Sequence, residues 1–215
     1  MRFLTWFLDL LFPPKCVFCR KILDSGREPV CGACDGGLPR LSGGGARTHG
    51  DYFDVCVSPL PYEGAVREAI LRYKFNGLRE YAETFGKILA SCVLENLSGE
   101  FDVITWVPLS KKRLKTRGYN QAELLAEIVA RESGKPAEAL LEKIREAPAQ
   151  SSVKGADARR ANISGAFAAV SEPNGRRVLL VDDIVTTGAT LSEAARTLLL
   201  ADAACVVCAA LAKRN

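Results

Sequence analysis

Residues 178–190 read VLLVDDIVTTGAT: an apolar run, two acids and a turn rich in Thr and Gly. Val178, Leu179, Leu180 and Val181 form an unbroken apolar run, the pattern of a strand buried on both faces. Two adjacent carboxylates follow, Asp182 and Asp183. A buried strand interior cannot hold two charges cheaply, so the pair is expected at the strand's carboxyl end, where α/β sheets place ligands. The turn that comes next, Thr186-Thr187-Gly188-Ala189-Thr190, leads into a helix predicted from about residue 190 to 201. It offers backbone N–H groups, three hydroxyls and a helix N-terminus to an anion. Gly188 permits close approach of the backbone. Carboxylates that accept from sugar hydroxyls, beside a cradle for phosphate, suit ribose 5-phosphate.

Other anion-binding motifs fit less well. No Lys follows the glycine as in a Walker loop, and the spaced glycines of a dinucleotide fingerprint are absent. In a phosphoacceptor receiver domain the acidic pair would lie near the start of the domain, whereas here it lies near the end. A turn built only for structure would not need two acids and three threonines. The segment resembles the 5-phosphoribosyl 1-pyrophosphate (PRPP) motif of type I phosphoribosyltransferases. That resemblance implies that Asp182 and Asp183 bind the ribose 2- and 3-hydroxyls, directly or through Mg²⁺, and serve the catalytic step. The PRPP-binding set becomes Asp182, Asp183, Ile184, Val185, Thr186, Thr187, Gly188, Ala189 and Thr190, with Thr186 to Thr190 on the 5-phosphate.

Outward from this motif, the pattern predicts alternating strands and helices. Strands are expected from Asp51 to about Pro61 and at 101–108, 139–144, 165–170, 178–183 and 204–211. Helical spacing covers 64–75, 79–97 and 119–132. The alternation implies an α/β fold, a mostly parallel sheet flanked by helices. The polar segment 146–162 is expected to be mobile. Residues 1–50 are read as an N-terminal module: an apolar helix, a cysteine cluster and a Gly-rich linker over 35–50. Residues 51–215 are read as the main domain.

After the strand at 101–108 comes VPLSKKRLKTRGYNQAE, with five basic residues in seven positions: Lys111, Lys112, Arg113, Lys115 and Arg117. A basic loop is usually solvated surface, but this one leaves the carboxyl end of a strand. VPL-x3-R-x3-RGYNQAELLA resembles the signature of the ComF family, competence-associated phosphoribosyltransferase-like proteins. Tyr62-Glu63-Gly64, Lys74-Phe75, Arg145, Gln150, Arg159, Arg160, Asn162 and Gly165-Ala166-Phe167 agree with it, as do the N-terminal cysteines. The resemblance implies a type I phosphoribosyltransferase fold. It also implies a pyrophosphate and flap set of Pro108, Lys111, Lys112, Arg113, Arg117, Arg159 and Arg160. The chain departs from the family at Ala147, where a Thr is usual, and at Val153, where a Leu is usual.

Cys16-x2-Cys19 and Cys31-x2-Cys34 are separated by eleven residues. Two such knuckles can place four thiolates around one tetrahedral ion, so structural Zn²⁺ is expected, with iron or redox disulfides as the alternatives. Four thiolates leave no open position for catalysis. Cys56, Cys92, Cys205 and Cys208 are expected to pack as small hydrophobes. The one histidine, His49, argues against a His-based catalytic triad.

The net charge of +4 suits a phosphate-rich ligand without demanding nucleic acid. MRFLTWFLDLLF, residues 1–12, carries Arg2 and Asp9 and is too short to span a bilayer as a helix. It reads as an amphipathic helix packed through Phe3, Leu4, Phe7, Leu8 and Leu11, with no signal-peptide cleavage site. A cytoplasmic protein with no membrane span is expected. Three functions follow from these readings. The first is a phosphoribosyltransferase that uses PRPP and Mg²⁺ on an unidentified acceptor, linked to competence and DNA uptake. The second is a catalytically weak or inactive module that binds single-stranded DNA in uptake or repair. The third is a structural role among competence or DNA-processing proteins.

Overall fold

A computed structural model describes residues 13–23, 28–145 and 165–214. The amphipathic helix expected in residues 1–12, the Ser25-Gly26 turn and the segment 146–162, with Gln150, Arg159, Arg160 and Asn162, lie outside the described residues. A short helix α1 (Gly32–Gly37) and a 3₁₀ turn (Gly43–Ala46) precede β1 (Arg47–Thr48), β2 (Cys56–Val57) and β3 (Leu60–Pro61). Helices α2 (Gly64–Phe75) and α3 (Tyr81–Leu97) lead to β4 (Val103–Trp106), α4 (Lys111–Arg117) and α5 (Gln121–Ser133). Strands β5 (Leu141–Lys143), β6 (Phe167–Ala169) and β7 (Arg177–Val185), helix α6 (Ala189–Leu200) and strand β8 (Cys205–Lys213) complete the order.

The main sheet runs β1-β2-β8-β7-β4, and β3 also pairs with β8. All its pairings are parallel except β1 with β2. Alternation along β7 builds two cores. Leu179 and Val181 join Val207, Ala209 and Leu211 against α2, α3 and α5. Val178 and Leu180 join Val206, Cys208 and Ala210 against α6. Each of these Val and Leu side chains contributes about 1.5–3 kcal/mol when fully buried. Helices α3 and α5 approach closely at Gly86, where a Cβ would stand 2.6 Å from Ile128 atoms.

Three strand readings shift. The strand expected over residues 51–61 is two short pieces. Pro59 has no N–H to donate, and the Ser58 N–H bonds to the Ala46 carbonyl instead. Within the Gly-rich stretch 35–50, Arg47–Thr48 add an antiparallel edge to the sheet. The strand expected over 178–183 runs on to Val185, through both acids. What ends at Val181 is the partner: β4 pairs up to Trp106↔Val181, while β8 continues to Val185↔Lys213. From Asp182 onward, among the described residues, no strand pairs with that edge of β7.

The cysteine module is seated on the main body. Cys16, Val17, Phe18 and Cys34 belong to the core cluster that contains Tyr73 and Phe85. Arg72 Nη2 donates to the carbonyls of Val17 and Phe18, at 3.0 and 2.6 Å.

Candidate functional site

The two loops of interest leave neighbouring parallel strands at the same end. The Val107 N–H donates to the Val181 carbonyl at 2.9 Å, so the segment after β4 starts beside the acids. Asp183 is buried, and its Oδ1 lies 2.8 Å from Lys74 Nζ, which reaches over from the last turn of α2. Asp182 Oδ1 accepts the Asp183 N–H at 2.7 Å. Burial pushes the Asp182 carboxyl up to about 7; the Asp183 charge adds to this, and Lys74 partly offsets it. Adjacent residues of an extended chain project to opposite sides. Accordingly Asp183 meets Lys74 on the α2 side, while the Asp182 charge is felt by Cys56 and Cys208 on the other.

Beyond Val185 the chain turns sharply. Thr186 and Thr187 are exposed. Gly188 caps α6 with φ +75°, a left-handed backbone that side chains resist. Ala189 and Thr190 form the first turn of α6. The motif's residues thus stand together: two acids, two exposed hydroxyls and a helix N-terminus on one strand end.

The basic segment is not the loop expected from the sequence. Only Val107 to Ser110 is loop, with Pro108 buried; Lys111 to Arg117 form α4. The reason is local. Ser110 caps the helix by accepting the Arg113 N–H at 3.3 Å, and Gly118 ends it with φ 79°. Asn120 then caps α5 through the Ala122 N–H and donates from Nδ2 to the Val107 carbonyl, tying α5 to the loop.

Lys111 and Lys112 line a cavity of about 390 Å³ with Ser110, Glu142, Lys143 and Arg145. Arg113 is exposed on the same helix. Arg117 turns elsewhere. It stacks over Phe75 at 4.9 Å and donates to Gln121 Oε1 at 2.9 Å. Burial lowers the Arg117 guanidinium, and the charges of Asp183 and Asp182 act in the opposite direction.

Sequence reasoning missed Lys74, Lys143 and Arg145 as neighbours of the site. In the sequence Lys74 and Arg145 stand out only as positions that match the family. Their signal was the family resemblance, because nothing in a local pattern shows that the end of α2 reaches the end of β7.

The four N-terminal sulfurs, of Cys16, Cys19, Cys31 and Cys34, lie within 4.8 Å of one another, and Cys19 Sγ is 3.6 Å from Cys31 Sγ. Zn–S bonds of about 2.3 Å in a tetrahedron need sulfurs roughly 3.8 Å apart, so the set fits zinc. Burial and the neighbouring thiols push the Cys34 thiol up; four thiolates gather here only around a cation. Burial would also raise the Cys16 thiol, but N–H groups of Cys31, Cys19 and Phe18 outweigh it and bring Cys16 down to about 6. Cys56, Cys92 and Cys208 are buried, and Cys205 is partly so, as small hydrophobes would be. His49 bonds through Nδ1 to the Asp54 carbonyl oxygen. Among the described residues no helix is long and apolar enough to cross a membrane.

Residues 120–215 match the phosphoribosyl transferase domain family, and residues 7–47 match the double zinc ribbon domain family. The competence protein ComFC of Bacillus subtilis is 34% identical over 66% of this chain, which spans 57% of that protein's length. The DNA utilization protein YhgH of Escherichia coli O157:H7 is 29% identical over 92% of this chain and 96% of its own. A solved structure of the allosteric regulatory enzyme of purine biosynthesis is 26% identical over 60% of this chain and 25% of its own, with a TM-score of 0.39. The domain matches, the mostly parallel sheet and the four-cysteine cluster agree on a type I phosphoribosyltransferase fold with a small zinc-binding module. With competence and DNA utilization proteins as its relatives, the chain belongs to the ComF family.

Proposed function

We propose that the site binds PRPP with Mg²⁺ and transfers its phosphoribosyl group to an acceptor nitrogen. The observation that carries this reading is the joint placement of Asp182-Asp183, the Thr186–Thr190 turn and the basic cleft at one end of the sheet. The turn's N–H groups and threonine hydroxyls take the 5-phosphate, and the carboxylates take the ribose hydroxyls. Lys111, Lys112, Lys143 and Arg145 line a cleft of suitable charge for pyrophosphate. Besides Lys111 and Lys112, the set that the resemblance implies contains Pro108, Arg113, Arg117, Arg159 and Arg160.

The chemistry asks for positioning and charge rather than a protein nucleophile. The C1–O bond breaks, its electron pair leaves with pyrophosphate, and the acceptor nitrogen bonds to the cation-like C1 and loses a proton. Mg²⁺ prefers one or two carboxylates plus phosphate oxygens. Asp182 fits that sparse donor set, because Asp183 already faces Lys74. When bound, the ion would offset charge on the departing pyrophosphate. The test is pyrophosphate release from PRPP and Mg²⁺ across a panel of amine and base acceptors. Release that needs both an acceptor and Asp182-Asp183 supports the reading; no release with any acceptor contradicts turnover.

A second reading is favoured by the relatives' names and by the exposed basic residues of α4. The fold would then serve as a binding module for single-stranded DNA, with competence or DNA-processing proteins as partners. Binding to phosphates would weaken steeply with salt. Absence of single-strand binding at low salt would remove this alternative.

A further inference from the structure

We infer that Lys74 is a positioning residue of the phosphoribose site: its ammonium holds Asp183 and supplies the countercharge that lets a phosphate-bearing sugar approach two adjacent carboxylates. The inference rests on the ribose-phosphate reading above. It starts from a contact that joins the last turn of α2 to the end of β7. Lys74 Nζ and Asp183 Oδ1 are 2.8 Å apart, with side chains only 14% and 13% exposed. In such a sheltered place charges act more strongly than on the surface.

A staple for α2 is the plainer explanation, but α2 is already well fastened. Val66, Ala69, Ile70 and Tyr73 have no exposed surface. The Tyr73 hydroxyl donates to the Gln121 carbonyl at 3.1 Å, and Arg72 holds two carbonyls of the cysteine module. A sheltered ion pair adds little net stability in such a setting, since desolvation cancels much of its attraction.

The charge balance gives the pair a use. Asp182 and Asp183 stand four and three residues before Thr186, so at a pH above about 7, where both are ionised, an arriving phosphate would meet two negative charges. Lys74 offsets one of them through Oδ1 and leaves lone pairs on Oδ2 for a sugar hydroxyl. Arg117, also influenced by both acids, is committed to Phe75 and Gln121.

The experiment is calorimetric titration of the full chain with ribose 5-phosphate, with and without Mg²⁺, for wild type, Lys74→Met, Lys74→Gln and Lys74→Arg. Without Mg²⁺ the two neutral variants should bind at least about tenfold more weakly, and Lys74→Arg should stay close to wild type. Mg²⁺ should narrow the gap by replacing the missing charge, which a packing role would not produce. Equal binding by the neutral variants, equal loss in Lys74→Arg, or a gap that Mg²⁺ leaves unchanged would overturn the inference. So would failure of both neutral variants to fold, which would make Lys74 structural. If wild type itself does not bind ribose 5-phosphate, the underlying reading fails, and that result is visible before any variant is made.

Discussion

The ring of Phe18, in the cysteine module, lies 5.8 Å from the ring of Phe85 in α3, tilted by 55°. Phe85 also meets Tyr73 and Tyr81 edge-on, so Phe18, the one large buried side chain among the module's described residues, is part of the main domain's aromatic cluster. Metal and core are therefore linked. Chelation of zinc, or Cys34→Ser, should lower the melting temperature of the whole protein in one transition. Phe18→Ala should do the same, at a cost of about 3–5 kcal/mol. Scanning calorimetry checks this. An unchanged main transition, with a separate small one for the module, would show that the module folds independently.

Gly188 separates binding from stability. Its φ of +75° strains any side chain, although a Cβ would have room, 3.6 Å from the Phe53 ring. Gly188→Ala should cost about 1–2 kcal/mol in folding. It should reduce affinity for ribose 5-phosphate by more than that, because the cradle must change its backbone to accommodate the methyl group. Thermal melting and titration on the same preparation give both numbers. Unaltered affinity would place the phosphate elsewhere.

The basic cleft discriminates between the two phosphate ends of PRPP. Replacing Lys111 and Lys112 together with Ala should weaken PRPP binding by about tenfold or more and leave ribose 5-phosphate nearly unaffected. Competition titration measures both. A parallel loss for the two ligands would assign these lysines to the 5-phosphate or to general attraction.

Local signals in the sequence mark some of these elements and not others. The run Val178–Val181 announced a buried strand, and its even and odd residues do supply the two cores. Helix α2 was bounded correctly at Gly64 and Phe75 because its apolar spacing and the following Gly77 are local signals. The basic segment was misread as a loop because charge dominated its appearance, while the Ser110 and Gly118 caps that make it a helix are single residues. The extension of β7 past Asp183 to Val185 is hidden for another reason. Pairing with β8 continues there after β4 has stopped, and partner length is not written in β7 itself. Lys74 beside Asp183 is the same kind of long-range fact, set by how α2 packs on the sheet.

Asp182 should leave a pH signature. Its carboxyl titrates at about 7 in the folded chain against an ordinary value of 3.8, because burial and Asp183 disfavour its charge. Between those values the folded state keeps a proton that the unfolded chain releases, so this group's contribution to stability falls as pH rises through the window. Asp182→Asn should then raise the melting temperature at pH 8 while abolishing PRPP binding, and the gain should vanish near pH 4. A stability scan across pH decides it. A gain that is absent, or equal at both ends, would mean that Asp182 is not held against its charge.

The most direct measurement is calorimetric titration of PRPP with Mg²⁺ into wild type and into the double variant Asp182→Asn, Asp183→Asn, with both confirmed as folded. Saturable binding to wild type and its loss in the double variant is the predicted result. No binding to wild type at millimolar PRPP, or equal binding to both proteins, would contradict the assignment of VLLVDDIVTTGAT as the phosphoribose site.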